Sequence, residues 1–153
     1  MTARNTIELP ASRVPVVGEY DVVVIGGGPA GLMAAVAASR AGRSTLLVER
    51  YGFLGGASTM GGLSTYCGMH ARVHGEDRQV IHGYADELLE RIDAMGGLNA
   101  PHLTIEDKIQ AIAFDISVAK KAADDLVLSG GGGPDLQLRL EASMRAVLRW
   151  PGG

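Results

Sequence analysis

Gly26, Gly28, Gly31 and Glu49 are the residues whose types and spacing could do chemistry in this 153-residue chain. The three glycines fall in the run Tyr20-Asp21-Val22-Val23-Val24-Ile25-Gly26-Gly27-Gly28-Pro29-Ala30-Gly31, a G-x-G-x-x-G pattern. Glu49 follows at about the 20-residue distance expected of a ribose-binding acid. Together they suit the capture of a diphosphate and an attached sugar. Gly26 would let the chain turn sharply. Gly28, lacking a Cβ, would let the backbone approach a pyrophosphate, and Gly31 would let a helix pack closely on a strand. Pro29 and Ala30 complete the turn, and the helix after it would turn its unsatisfied N–H groups and positive dipole end to the phosphates. A carboxylate at Glu49 would accept from ribose hydroxyls and repel a 2′-phosphate, which argues against NADP.

The elements that must hold these residues are legible on either side. Val22 to Ile25 is an apolar run that suits a strand buried on both faces. Leu32-Met33-Ala34-Ala35-Val36-Ala37-Ala38 reads as a helix of small, good formers. Ala41-Gly42-Arg43 reads as a helix-to-strand turn, and Thr45-Leu46-Leu47-Val48 as a second strand ending in Glu49. Strand, glycine turn, helix, strand and terminal acid in register are the context in which the glycine pattern carries meaning.

Composition bounds the rest. The length suits one domain with a sizeable core. A 46% hydrophobic and 20% charged composition is that of an ordinary globular protein. A net charge of −3 and 5% aromatic residues give no footing for nucleic acid or an anionic membrane as partner. One cysteine, Cys67, excludes an intrachain disulfide and fits a reducing compartment, the cytoplasm. The uncharged stretch Val22–Ser39 could be mistaken for a membrane span. Its glycines and Pro29 make it instead a buried strand plus a packed helix. Residues 1–18, with Pro10 and Pro15, read as an extended lead-in without a secretory signal.

Further along, Arg50 to Gly62 shows neither helical nor strand period. Its glycines point to a loop passing close to a ligand off the C-terminal end of a strand. Tyr66 to Arg78 carries Cys67, His70 and His74 and reads as a solvated, substrate-side loop. The histidines are four apart, but Gly68, Gly75 and the missing apolar stripe argue against the helix a zinc pair would need. No cationic neighbour is evident to activate the Cys67 thiol, and no C-x-x-C or C-x₄-C pair occurs, which sets aside a redox-active cysteine pair. Ile81, Tyr84, Leu88, Ile92 and Met95, spaced by threes and fours, predict an amphipathic helix over 80–95, with Glu87 and Arg91 as an i,i+4 pair and Gly96-Gly97 as its stop. Ala100 to Ala113 shows no firm chemistry. Phe114 to Ser129 predicts another helix, with Asp115 as N-cap. Residues 136–149 admit two readings, a strand from the alternation of Leu136 to Leu140 or a helix through Leu136, Leu140, Met144 and Val147.

Asp21 to Gly31, Glu49-Arg50 and Leu54-Gly55-Gly56-Ala57 resemble the FAD-dependent oxidoreductases that open on a Rossmann-type FAD domain. The resemblance implies an α/β fold, a Rossmann-like FAD/NAD(P)-binding parallel sheet with flanking helices. It implies FAD as cofactor, with the first glycines on the pyrophosphate and Glu49 on the adenosine ribose. It places Arg50 near the adenine or phosphate side, and Gly55, Gly56 and Ala57 along the pyrophosphate toward the flavin. By the same analogy residues 136–140 form a strand, with Ser143-Met144 near the adenine. Residues 19–57 and 115–150 would then be the FAD-binding segment and 58–114 an insertion that starts a substrate-side region. Such proteins continue into a β-meander, a further parallel strand and a second Gly-Asp motif, none of which occurs here. The expectation is therefore an incomplete sheet, in a fragment or a chain needing a partner, with no catalytic residue assigned and the substrate unknown. An NAD-binding dehydrogenase domain would use the same four residues; the N-terminal placement and the Leu54-Gly55-Gly56 turn favour FAD.

Overall fold

A computed structural model describes residues 13, 15–105, 109–129 and 132–142. In chain order its elements are β1 (Val22–Ile25), α1 (Pro29–Arg40), β2 (Thr45–Val48), a 3-10 turn (Gly56–Ser58), β3 (Thr65–Cys67), β4 (His70–Val73), β5 (Glu76–Gln79), α2 (Tyr84–Ala94), β6 (His102–Thr104), β7 (Ile109–Ala113), α3 (Ile116–Leu128) and β8 (Leu136–Arg139). β1, β2 and β8 form a parallel sheet in the order β1-β2-β8. Val22 faces Thr45, and Thr45 faces Leu136. The uncharged stretch from Val22 is thus strand, turn and helix, and no helix among the described residues is long and apolar enough to cross a membrane.

β2 is the central strand. All four of its residues are buried, and its neighbours satisfy both edges of its backbone. The expectation that β1 is buried on both faces is corrected. Among the described residues β1 pairs on one side only, so Val22–Val24 are partly buried and Ile25 is 59% exposed. An apolar run marks a strand, but burial depends on its rank in the sheet, which run composition does not encode.

α1 covers this sheet through Leu32, Ala35, Val36 and Ser39, which share one face at i, i+3, i+4 and i+7. Leu47 of β2 joins Leu32 and Val36 in the core, beside Leu88 and Ile92 of α2 and Ala119, Ala123 and Leu126 of α3. Burying a leucine there contributes roughly 1.5–3 kcal/mol. α3 opens as the sequence predicts: the Asp115 carboxylate accepts from the N–H groups of Ser117 (2.7 Å) and Val118 (3.0 Å). Leu136 to Leu140 resolves to strand over Leu136–Arg139, because the backbone of β2 is there to receive it.

The segment 65–79 is ordered into strands rather than a loop. β3 and β6 flank β7 in an antiparallel sheet, and β4 and β5 form a hairpin. Its two-residue turn, His74-Gly75, has positive φ at both positions (53° and 87°), the type I′ geometry that matches strand twist. His74 is therefore a turn residue, and His70 lies at the start of β4. The short strands 102–104 and 109–113 are likewise absent from the sequence reading. Each is too short to show a period by itself. α2 begins at Tyr84, not 80. Gly83, with φ 82°, breaks the chain before it, and Ile81 is 48% exposed instead of lining the apolar face. Leu88 and Ile92 are buried as predicted, and Gly96 (φ 74°) follows the end of α2.

Candidate nucleotide-binding site

The parallel strands β1 and β2 end together. Gly26 N–H donates to the Val48 carbonyl at 2.8 Å, so the glycine turn leaves the sheet level with Glu49. Gly26 takes φ 100°, a conformation that L side chains rarely adopt. Gly31 is packed hard against that turn. A Cβ on Gly31 would lie 1.8 Å from the Gly26 carbonyl oxygen and 3.3 Å from Val24 Cγ1. Gly28 differs in kind. A Cβ there meets nothing nearer than Gly56 Cα at 3.9 Å, and its φ is an ordinary −69°. The fold itself does not require glycine at 28, and the space beside it is open.

α1 starts at Pro29, which has no N–H to lose. Its N-cap, Gly28, offers no side-chain cap, and no acid sits in its first turn. The N–H groups of Ala30 and Gly31 have no carbonyl one turn earlier in the helix. That helix end suits an external anion.

Glu49 closes the other side. It is 6% exposed, and both carboxylate oxygens are held by backbone: Oε2 accepts from Gly27 N–H at 2.6 Å and Oε1 from Tyr51 N–H at 2.9 Å. These are charge-assisted bonds that satisfy a buried carboxylate without a cation. Each oxygen keeps a further acceptor position, the chemistry needed to take ribose hydroxyls. Glu49 is also tied to β8, since its N–H donates to the Arg139 carbonyl at 2.9 Å and its carbonyl accepts from Ala142 N–H at 3.1 Å.

The loop after β2 folds back over the turn. Gly55 N–H donates to the Gly27 carbonyl at 2.8 Å, and a Cβ on Gly56 would stand 2.7 Å from Gly28 Cα. Ala57 continues into the 3-10 turn. Leu54 N–H donates to Asp124 Oδ1 at 2.9 Å, which anchors this loop to α3, and burial pushes the Asp124 carboxyl above the ordinary aspartate range. The result is an open groove of about 340 Å³ lined by Ile25, Gly26, Glu49, Tyr51, Gly56 and Ala142. Gly26, Gly28, Pro29, Ala30, Gly31, Glu49, Gly55, Gly56 and Ala57 thus come together around one turn. Arg50 also lines the groove, with its guanidinium 4.7 Å from the centre of the Tyr51 ring. Met144 lies outside the described residues.

Gly27 was missed by the sequence reading. A Cβ there would fall 2.3 Å from Leu54 Cδ2 and 3.2 Å from Glu49 Oε2, and its N–H is the one that holds Glu49. The only signal was the unbroken triplet Gly26-Gly27-Gly28. Cys67, His70 and His74 lie away from the groove, on β3, β4 and the β4–β5 turn. Among the described residues no three His, Cys, Asp or Glu side chains converge as a metal ion would need.

The family model described as FAD dependent oxidoreductase matches residues 21–152. The chain belongs to this family. FAD is the cofactor that membership implies, and the residues present fit it. An uncapped helix end and the open Gly28 would suit its phosphates, and Glu49 has acceptor positions that would suit its ribose. Among curated relatives, dihydrolipoyl dehydrogenase of Trypanosoma brucei brucei is 38% identical over 86 residues, 54% of this chain and 16% of that protein. The 4-oxocyclohexanecarboxylate 2-dehydrogenase of Sinomonas cyclohexanicum is 42% identical over 78 residues, 50% of this chain and 13% of that protein. Among solved structures, Aquifex aeolicus GidA aligns over 82% of this chain and 20% of its own, at 25% identity and a TM-score of 0.44. The chain thus spans a small part of the length of the curated relatives it matches.

Proposed function

We propose that this chain is the FAD-binding portion of a flavin-dependent oxidoreductase. The observation that carries this reading is the buried Glu49 carboxylate, fastened to Gly27 N–H across from the open position at Gly28. In this reading Glu49 holds the adenosine ribose, and Arg50 and Tyr51 flank the adenine side. Gly26, Gly28, Gly31 and the first turn of α1 hold the pyrophosphate, while Gly55, Gly56 and Ala57 guide the cofactor toward its flavin end. Bound there, FAD supplies a ring that takes up a hydride equivalent. The protein's part in these residues is binding and orientation.

Glu49 is the only carboxylate, imidazole or thiol side chain among the described residues that line the groove, and its role is to hold sugar. Groups that activate substrate therefore come from outside this groove. Residues 58–114, whose antiparallel strands stand apart from the parallel sheet, form the substrate-side insertion. The single cysteine supports placement in a reducing compartment, the cytoplasm.

The test is purification of the full chain with added FAD, followed by gel filtration read at the visible flavin bands and by calorimetry against FAD and NADH. FAD should co-elute and bind at least about tenfold tighter than NADH. Elution of free flavin alone overturns the reading, and tighter NADH binding replaces it with a dehydrogenase domain.

A further inference from the structure

α3 grips the loop after β2 at two points. Lys120 and Asp124, four residues apart, share one face of the helix. They meet consecutive loop residues. Lys120 Nζ lies 3.6 Å from the centre of the Phe53 ring, and Asp124 Oδ1 accepts from Leu54 N–H at 2.9 Å. Leu54 is held from its other side as well, because its carbonyl accepts from the buried Thr59 hydroxyl at 2.8 Å. Its side chain is fully buried, with Cδ2 2.3 Å from where a Cβ on Gly27 would stand. The next amide, Gly55 N–H, donates to the Gly27 carbonyl at 2.8 Å. Direct contacts therefore run from α3 through Leu54 to the glycine turn. Asp124 does not itself line the nucleotide groove, yet Gly56, two residues beyond its hydrogen bond, does.

We propose that Asp124 is a positioning residue of the nucleotide site, setting the loop from Leu54 to Ala57 so that its backbone can meet a diphosphate. The ligand served is the one proposed above, so this role rests on the flavin reading. A loop that turns through Gly55 (φ 106°) and Gly56 (φ 51°) has little conformational preference of its own, and its place must be imposed by neighbours. Asp124 imposes it on the N–H side of Leu54 and Thr59 on the carbonyl side. Without an acceptor at 124, Leu54 N–H loses its partner in a buried setting, which favours loop positions that return it to water. Only molecules with the loop in place can bind, and the apparent affinity falls with their fraction. Asn at 124 would keep an oxygen acceptor for Leu54 N–H, so the role belongs to the hydrogen bond and not to the charge.

The experiment compares the full parent chain with Asp124→Ala, Asp124→Asn and Thr59→Val, first without ligand and then with FAD. Without ligand, amide hydrogen exchange at Leu54 and Gly55 should quicken about tenfold or more in Asp124→Ala, while the amides of β2 keep the parent rate. Asp124→Asn should exchange as the parent does. In calorimetry Asp124→Ala should bind FAD about tenfold more weakly, and Asp124→Asn within about twofold of the parent. Thr59→Val removes the bond on the other side of Leu54 and should quicken the same two amides and weaken FAD likewise. It carries the test if Asp124→Ala does not fold. Parent affinity for FAD in Asp124→Ala, or in Thr59→Val where the former does not fold, overturns the role. So does loss of affinity in Asp124→Asn equal to that in Asp124→Ala, or exchange that quickens throughout β2, the mark of a general loss of stability. A parent chain that binds no FAD overturns the flavin reading, and exchange at Leu54 and Gly55 then decides by itself whether Asp124 sets the loop.

Discussion

Gly27 N–H donates to Glu49 Oε2 at 2.6 Å in a buried setting. This bond joins the middle glycine of the turn after β1 to the acid that ends β2. It makes the two halves of the candidate nucleotide site a single piece of structure. The carboxylate is thereby aimed before any ligand arrives, which lowers the ordering that binding must impose. Replacing Glu49 by Gln keeps the shape but loses the charge, and one oxygen becomes an NH₂ that cannot accept from backbone N–H. We expect Glu49→Gln to lose about 1–3 kcal/mol of stability in urea unfolding. Glu49→Ala should weaken FAD binding by about tenfold or more in calorimetry. Unchanged FAD affinity in Glu49→Ala would remove the ribose role.

Gly28 and Gly31 make opposite predictions although both belong to one sequence pattern. Gly31→Ala forces a Cβ to 1.8 Å from the Gly26 carbonyl, so the turn must shift, and the loss of stability should be about 1–3 kcal/mol or more. Gly28→Ala meets open space at a permitted φ and should fold with its melting temperature nearly intact, yet lose FAD. Thermal unfolding and flavin retention measured on both variants separate fold from site. A Gly28→Ala protein that still retains FAD would contradict close approach of the pyrophosphate.

Asp124 gives a pH dependence of known sign. Its folded-state pKa is raised, chiefly by burial and only partly offset by the bond from Leu54 N–H. The folded protein therefore holds this proton more tightly than the unfolded chain. Its contribution to stability declines as pH rises from the ordinary aspartate pKa of about 3.9 through the folded value. Asp124→Asn keeps an acceptor for Leu54 N–H and removes the ionisation. Denaturation curves across the acid range should show the variant losing that decline and being as stable as the parent, or more so, at neutral pH. A variant markedly less stable at neutral pH would mean that the charge itself supports the loop.

Glu87 predicts the opposite slope. Arg40 of α1 lies 2.8 Å and Arg91 of α2 3.1 Å from its carboxylate, and the Arg40 bond, ahead of Arg91, holds the Glu87 pKa below the usual glutamate range. Stability from this network is present above the unfolded pKa near 4.3 and is lost as pH falls through the folded value. The side chains are partly solvated, so Glu87→Gln should destabilise by only about 1 kcal/mol at neutral pH. The difference from the parent should vanish in strong acid. A loss that persists there would be due to packing, not charge.

How far the chain could be read without coordinates depended on the reach of each interaction. The βαβ unit Val22–Val48, the cap at Asp115 and the buried face of α2 are local patterns, written in composition and in spacings of one or two turns. The Glu87–Arg91 pair was legible for the same reason, whereas Arg40, from another helix, was not. The glycine pattern and Glu49 pointed to the family, because few residue types permit a tight turn, a close backbone approach and a buried acceptor at that distance.

Tertiary structure decided what depends on neighbours. Whether β1 or β2 is buried followed from sheet order, and Leu136–Arg139 became a strand because β2 offered an unfilled edge. β3 exists through pairing across the chain, with Cys67 opposite Ala111, while β4 and β5 pair with each other across a two-residue turn, and each leaves almost no period in so few residues. The same distance from local pattern hid the bond from Gly27 to Glu49. A backbone amide has no letter of its own, and a sequence records which polar groups a chain carries, not which of them folding leaves without a partner.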